Sequence, residues 1–434
     1  MKNATLAILN GKKTVTEPPG DLFAWPVVTP EDEAAVLDVL RRGAMSGSDV
    51  TLKFEAEMAA FHGVTYALGH CNGTSAILGA LWACGVRTGD EIIMPSRTYW
   101  ASGLQAYTLG ASIVFADVDP GTLCLDPADV ERRITPRTKA IVAVHLCGYP
   151  CDMDAIMAIA RPRGIKVLED VSHAQGGLYK GRLLGTIGDV GCMSLMSGKS
   201  LSAGEAGMLL TNDRAIWERA TAFGFYERTG QSRFGQADAG ITDPELVRLA
   251  GLPLGGYKHR MNQTCAAMGR VQLKEYPRRL DEILRAMNFF WDCLEGVPGL
   301  KAHRVAPDSG SRMGGWYTPV GLYDASQLGG LPLPMFREAV RAEGAPCLGD
   351  PHWPLHLHPL FHDADVYGAG KPTAIAHASR DLRQGRGSLP VTEAAASRVF
   401  GIPWFKHHRP EAIRPYAEAF RKVALQAALL VRGP

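Results

Sequence analysis

Two short runs decide how this chain is read: Ile165-Lys166-Val167-Leu168-Glu169-Asp170 and Gly191-Cys192-Met193-Ser194-Leu195-Met196-Ser197-Gly198-Lys199-Ser200. Each is an apolar strand candidate that ends on a reactive residue, an aspartate in the first and a lysine in a Gly/Ser turn in the second. Apolar runs of this length, bounded by turn residues, suit strands covered on both faces. Working outward, further strand candidates fall at residues 91–95, 112–117, 140–146 and 207–211. Helical stretches sit between most of them, at 74–84, 100–109, 127–134 and 153–163. This alternation predicts an α/β fold with a parallel sheet and helices on both faces. Such sheets bind ligands beyond the carboxyl ends of their strands, which is where Asp170 and Lys199 fall.

Residues 1–30 read as an irregular arm containing Pro18, Pro19 and Gly20. A helix is expected over 30–42, with Thr29 as N-cap, Pro30 at the first helical position and acids in the first turn. Residues 228–256 lack periodicity and read as a long connection with one short helix. A strong helix candidate over 262–284 and a mixed α/β tail follow. The expected organisation is an arm (1–30), a large domain (31–255) and a smaller C-terminal domain (256–434).

Alone, Asp170 suits a helix cap and Lys199 a solvated turn. Together at one sheet edge they suit a specific chemistry. A lysine amine forms an imine with an aldehyde cofactor, and a carboxylate keeps that cofactor's pyridine nitrogen protonated, so that the ring accepts electrons. A phosphate on the cofactor needs a cradle. Asn72-Gly73-Thr74-Ser75 precedes a helical run and offers two hydroxyls and free backbone N–H groups, although the same residues make a plain helix cap. Tyr99 follows Pro95-Ser96-Arg97-Thr98, where an aromatic either stacks on a ring or packs in the core.

Motifs in order along the chain resemble those of the DegT/DnrJ/EryC1/StrS family of sugar aminotransferases. They are Ser46-Gly47 before Phe54-Glu55, Asn72-Gly73-Thr74-Ser75-Ala76, Gly89-Asp90-Glu91, Pro95-Ser96, Val144-His145-Leu146 and Gly148. Glu169-Asp170, Gly188-Asp189, Gly198-Lys199, Ala203-Gly204-Glu205, Arg260-Met261, Ala266-Ala267, Gln272-Leu273 and Pro354-Leu355-His356 continue the series. The resemblance implies the fold of type I pyridoxal-phosphate transferases, with a mainly parallel seven-stranded sheet in the large domain and a smaller α/β C-terminal domain. It implies pyridoxal 5'-phosphate as cofactor, passing through the pyridoxamine 5'-phosphate form. Lys199 would be the imine-forming lysine and proton shuttle, and Asp170 the partner of the pyridinium nitrogen. His173 would reach the ring hydroxyl and Tyr99 would stack on the ring. Gly73, Thr74, Ser75 and Ser194 would surround the phosphate. Lys258 stands where relatives carry an Asn that reaches the phosphate from the neighbouring subunit. Ala206 stands where relatives carry Gly after the glutamate.

The same resemblance implies an amino-acid donor (glutamate or glutamine), a keto-sugar or ketocyclitol acceptor, and a homodimer with shared sites. Two other readings stay open, a dehydratase using the same cofactor and a non-catalytic regulatory protein of the same fold. Dehydrating relatives replace the lysine with histidine, which Lys199 does not match. The composition gives no reason to look elsewhere. Net charge is +2 over 434 residues, with basic residues scattered, so nucleic acid and membrane are not expected partners. Nine cysteines without framework spacing fit reduced thiols in a cytoplasm. His145 with Cys147 and Cys151, and the run His352, His356, His358 and His362, have no metal-site spacing, so no metal is expected.

Overall fold

The computed structural model describes residues 5–230, 240–366, 368, 370, 378 and 380–431. Seven strands form one sheet: β1 Tyr66–His70, β2 Glu91–Pro95, β3 Ser112–Ala116, β4 Thr138–Val144, β5 Lys166–Asp170, β6 Val190–Ser194 and β7 Gly207–Thr211. Their order is β1-β7-β6-β5-β4-β2-β3. β2 to β6 pair in parallel, while β7 runs antiparallel to both its neighbours, β6 and β1. The mainly parallel seven-stranded sheet is therefore present. Every residue of β2, β3 and β7 is buried, as expected of strands sandwiched between helices.

Three expected strands agree residue for residue, and that over 140–146 instead spans 138–144. β1 escaped the sequence reading. Tyr66-Ala67-Leu68-Gly69-His70 has no β-branched residue, and it becomes a strand because β7 pairs with it along its whole length. The helix expected over 100–109 is instead two 3-10 segments, Trp100–Ser102 and Leu104–Leu109. Gly103 separates them, and a Cβ there would come within 2.6 Å of the Met94 sulfur, so this close approach to β2 replaces a regular helix. In the connection after 228, a short helix does form, Pro244–Arg248, while residues 231–239 lie outside the described residues.

α1 Pro30–Arg41 starts as the sequence indicates. The Thr29 N–H donates to Asp32 Oδ2 (2.8 Å), and the Asp32 N–H donates to Thr29 Oγ1 (3.4 Å), a reciprocal cap. α2 Asp49–His62 was not anticipated; it sets Phe54 against Gly269, where a side chain would collide with the Phe54 ring. α3 Gly73–Ala83 follows β1 and is capped by Asn72. α4 Gln263–Asp292 begins after its Asn262 cap and runs beyond the expected 284. Its first half buries Ala266, Ala267, Leu273, Tyr276 and Leu280 in the core beneath the large sheet. Its second half buries Ile283, Ala286, Met287, Phe290 and Trp291 in a second core.

That second core is completed by a three-stranded antiparallel sheet, β8 Leu300–Ala302, β9 Val320–Tyr323 and β10 Val399–Gly401. Helix α5 Pro410–Leu425 packs on it, and Leu6 and Leu22 enter it from the N-terminal side. One helix thus spans both cores. Ile283→Ala, at a fully buried position just past the crossover, should lower stability by about 2–5 kcal/mol. Urea unfolding measures this, and a loss under 1 kcal/mol would mean that the second core collapses around the smaller side chain instead of leaving a cavity.

Candidate active site

Asp170 ends β5 and Ser194 ends β6, its parallel neighbour, so both stand at one carboxyl edge of the sheet. The chain then turns through Met196-Ser197-Gly198, where the Lys199 N–H donates to the Met196 carbonyl (2.8 Å) and brings the lysine back over that edge. A cavity of about 400 Å³ opens there. Gly73, Thr74, Tyr99, Asp170, His173, Ser194 and Lys199 all line it. Seven residues scattered over more than a hundred positions of sequence are thereby gathered into one space. Two candidates are not. Ser75 uses its hydroxyl within the helix cap, donating to the Asn72 carbonyl (2.8 Å) and accepting from the Asn72 N–H (3.3 Å). Lys258 is exposed and lies off the cavity wall.

Lys199 is only 7% exposed, and its Nζ lies 3.6 Å from the centre of the Tyr317 ring. Burial lowers its pKa to about 8, against a smaller upward pull from Asp170. Near neutral pH the amine is still mostly protonated, but its uncharged, nucleophilic fraction is far larger than that of an exposed lysine. Trp25 fixes the turn from outside by donating its indole N–H to the Lys199 carbonyl (2.8 Å).

Asp170 accepts from the Ser102 hydroxyl at Oδ2 (2.7 Å) and from the Ser172 N–H at Oδ1 (3.0 Å). These bonds fix the carboxylate's plane. Ser102 in turn bonds the Thr98 hydroxyl (2.9 Å). Next to Asp170, Glu169 is wholly buried on the opposite side of the strand. It bonds His145 (3.0 Å) and the N–H groups of Gly185, Ile187 and Gly188 (2.9, 2.7 and 2.7 Å). Burial works to raise its pKa, but His145 and the backbone donors outweigh burial and hold it below the usual carboxylate range.

The third corner of the cavity is the start of α3. Its first N–H groups have no partner within the helix, and Gly73 lets them approach β6: a Cβ on Gly73 would lie 2.9 Å from Ser194 Cα. His173 is buried between Tyr317 (4.7 Å between ring centres) and His352 (5.3 Å). Burial, then Lys199 and His352, keep His173 neutral by pushing its pKa well below the ordinary value. Tyr99 is 55% exposed and stands at the mouth beside Trp100.

Several lining residues escaped sequence reasoning. Tyr317 and Thr318 come from the segment before β9 and carry no local signal. Ser102 was hidden in an expected helix. His352 belongs to the histidine run whose spacing suits no metal, and nothing local marks it apart from its neighbours. In the structure that run disperses: His356 bonds Ser96 (2.8 Å) and Glu393 (3.2 Å), His362 bonds the His356 carbonyl (2.6 Å), and His358 accepts from the Leu360 N–H (3.2 Å). His145 is likewise committed, to Glu169 and the Cys151 N–H (3.0 Å). Among the described residues no cluster could hold a metal ion. Nor is any helix long and apolar enough to cross a membrane.

A buried amine of lowered pKa, an oriented carboxylate and a helix N-terminus with hydroxyls around one cavity fit an aldehyde-bearing pyridine with a phosphate arm. The pattern of the DegT/DnrJ/EryC1/StrS aminotransferase family matches residues 26–421. The chain belongs to that family. It is an aminotransferase of the pyridoxal-phosphate type I fold. It is 33% identical over 410 residues to the L-glutamine:2-deoxy-scyllo-inosose aminotransferase of Streptoalloteichus tenebrarius, covering 91% of each chain. It is 31% identical over 383 residues to the spore coat polysaccharide biosynthesis protein SpsC of Bacillus subtilis, covering 85% of this chain and 91% of SpsC. An aminotransferase structure from Psychrobacter cryohalolentis superposes with a TM-score of 0.79 at 27% identity, over 93% of this chain and 99% of that one.

The aminotransferase's buried amine has a measurable cost. Lys199 has a pKa of about 8 when folded and 10.5 when exposed, so the unfolded chain keeps a proton that the native state sheds between those values. Stability therefore rises with pH across that window, and the penalty is full below pH 8. Lys199→Met should stabilise the cofactor-free protein at pH 7 by on the order of 3 kcal/mol, with the gain vanishing toward pH 10.5. Denaturant unfolding at several pH values reads this directly; a gain independent of pH would refute it.

Proposed function

We propose that this aminotransferase moves an amino group from glutamine or glutamate to a keto-sugar or ketocyclitol. The observation that carries the reading is the single cavity shared by Lys199, Asp170 and the start of α3. The relatives named for a ketocyclitol and for a polysaccharide pathway support the acceptor class. In this assignment Lys199 and Asp170 are the catalytic residues. Gly73, Thr74 and Ser194 hold the phosphate, with Ser75 shaping that cradle through the helix cap. Tyr99 covers the ring, and His173 meets its hydroxyl.

Bound pyridoxal phosphate supplies an aldehyde for amine exchange and a ring that withdraws electrons. The remaining work belongs to the chain. Lys199 would hold the cofactor and, as a free amine, would be the base that removes the proton from the donor's α-carbon. Asp170, held by Ser102 and Ser172, keeps the pyridine nitrogen protonated. Tyr317 backs the Lys199 amine and shields it from water.

We further propose a homodimer, in which the exposed Lys258 reaches the neighbouring subunit's phosphate as a point charge. Exposed Tyr99 and Trp100 at the mouth favour a covering partner. The division at 30 and 255 into arm, cofactor domain and small domain belongs to the same proposal, as does a cytoplasmic location, which the nine free cysteines support.

Adding pyridoxal phosphate should give a visible absorption band that glutamine or glutamate bleaches to shorter wavelength. Lys199→Ala should lack the original band and lose on the order of 10²–10⁴-fold or more in turnover. A band that survives in Lys199→Ala would refute the assignment. A band that no amino donor bleaches would favour dehydration or regulation instead.

A further inference from the structure

We infer that the face of the Tyr317 ring stabilises the positive charge that forms on Lys199 when its amine takes the donor's proton, which makes Tyr317 a further catalytic residue; this rests on the aminotransferase reading above. Lys199 Nζ lies 3.6 Å from the centre of that ring. The face of an aromatic ring carries negative charge density and attracts a cation, most strongly where water is excluded. The amine is buried, and among the described residues it has no hydrogen-bond or ion-pair partner. Asp170 acts on it only from beyond ion-pair distance. The ring is thus the contacting group that favours an ammonium over an amine.

The backbone on either side of Tyr317 is held in an unusual shape. Trp316 (φ 54°) and Thr318 (φ 50°) both occupy the left-handed region, which bulky and β-branched side chains avoid. Such conformations persist only where the surroundings over-determine them, and they gather at functional sites. Gly314 and Gly315 press against the neighbours of His173 and Lys199. A Cβ on them would meet the Ala174 carbonyl oxygen at 2.0 Å and Ser200 Oγ at 1.9 Å. The Gly314 N–H donates to the Gly148 carbonyl (2.9 Å) and the Gly315 N–H to the Gln175 carbonyl (3.1 Å). Trp316 is fully buried in the second core, and past Thr318 the Pro319 carbonyl accepts from the Ile402 N–H (3.0 Å). This strap sets the Tyr317 ring between His173 (4.7 Å between ring centres) and Trp404 (5.6 Å, nearly perpendicular). The lysine's end is fixed in turn by Trp25, bonded to its carbonyl. Ring and amine are therefore placed in advance, so that little has to reorganise when charge appears.

The proton transfer calls for such a contact. The C–H bond at the donor's α-carbon breaks and its electron pair stays on the carbon. The lone pair of the amine forms a new N–H bond, and the nitrogen becomes an ammonium. Burial opposes that charge and by itself makes Lys199 a weaker base. The ring face offsets burial at the atom where the charge forms, and it does not compete for the proton. Other titratable groups around the amine leave this part to the ring. Asp170 is held by Ser102 and Ser172, and Glu205 and Tyr99 line the cavity from exposed positions. His173 and His352 are neutral, because burial pushes both well below their ordinary value. Burial raises the pKa of Tyr317 itself, so its hydroxyl keeps its proton and a neutral ring faces the lysine.

The test is Tyr317→Phe, followed by the same phenylalanine bearing one, two or three ring fluorines, which keep its shape while draining charge from its face. In the cofactor-free protein, trace acetylation of Lys199 by acetic anhydride is followed against pH by mass spectrometry. The midpoint should lie near pH 8 in wild type and in Tyr317→Phe. It should then fall with each fluorine, by about 1–1.5 pH units over the series. In the enzyme loaded with pyridoxal phosphate, bleaching by saturating glutamine should slow in the same order, by about 3–30-fold overall. Tyr317→Phe itself should stay within about twofold of wild type, because the hydroxyl is not the working part. Midpoints indifferent to fluorine would overturn the assignment. So would midpoints that fall while bleaching is unchanged, or a loss above about tenfold on removing the hydroxyl alone. A wild type that neither glutamine nor glutamate bleaches overturns the aminotransferase reading and the catalytic part with it, while the acetylation series still decides whether the ring holds charge on the amine.

Discussion

Glu169 and Asp170 are consecutive on one strand, and the pleat sends their side chains to opposite faces of the sheet. A carboxylate pointing into the protein would ordinarily be costly, but Glu169 gathers His145 and three backbone N–H groups from residues 185–188. Those bonds fasten the turn that feeds β6 to the end of β5. Gly191 helps, because a side chain there would collide with the Gly185 carbonyl. The register of β5 against β6 is thus locked where it matters. Slipping it by one residue would exchange the faces of Glu169 and Asp170 and leave the cavity without its carboxylate. The positions of Ser194, the Lys199 turn and the start of α3 all follow from that register.

The sheet's central strands were legible in the sequence because they are buried on both faces and bounded by turn residues. β1 was not, since its composition is ordinary and its strand character comes from pairing with β7. α2 was missed for a related reason: packing against α4, above all Phe54 on Gly269, decides its existence. The sequence reading divided the chain at the loop before α4. Along α4 the buried side chains pass from the first core to the second between Leu280 and Ile283, while Val320, Leu322 and Val399 of the small sheet return to the first.

At the site, Asp170 and Lys199 were legible because each closes a recognisable strand. Thr74 was legible because a cap and a phosphate cradle use the same residue types. That overlap also explains Ser75, whose hydroxyl is taken up by the cap. Tyr317 could not be read, and His352 stood out only as one of a histidine run, because both reach the cavity on chain segments brought back over the sheet edge from the second core. Local periodicity has no access to such returns.

The turn bearing Lys199 is held by Trp25, near the start of the chain, and the cavity's far wall is held through Arg97 by Asp350. A polypeptide emerging from the ribosome makes the lysine long before it makes that wall. Half-synthesised chains therefore display the amine without its enclosure, in water and at its ordinary basicity, where it is protonated and a poor nucleophile. The enclosure around the amine is complete only when Tyr317, Thr318, Pro351 and His352, from the last third of the protein, are in place.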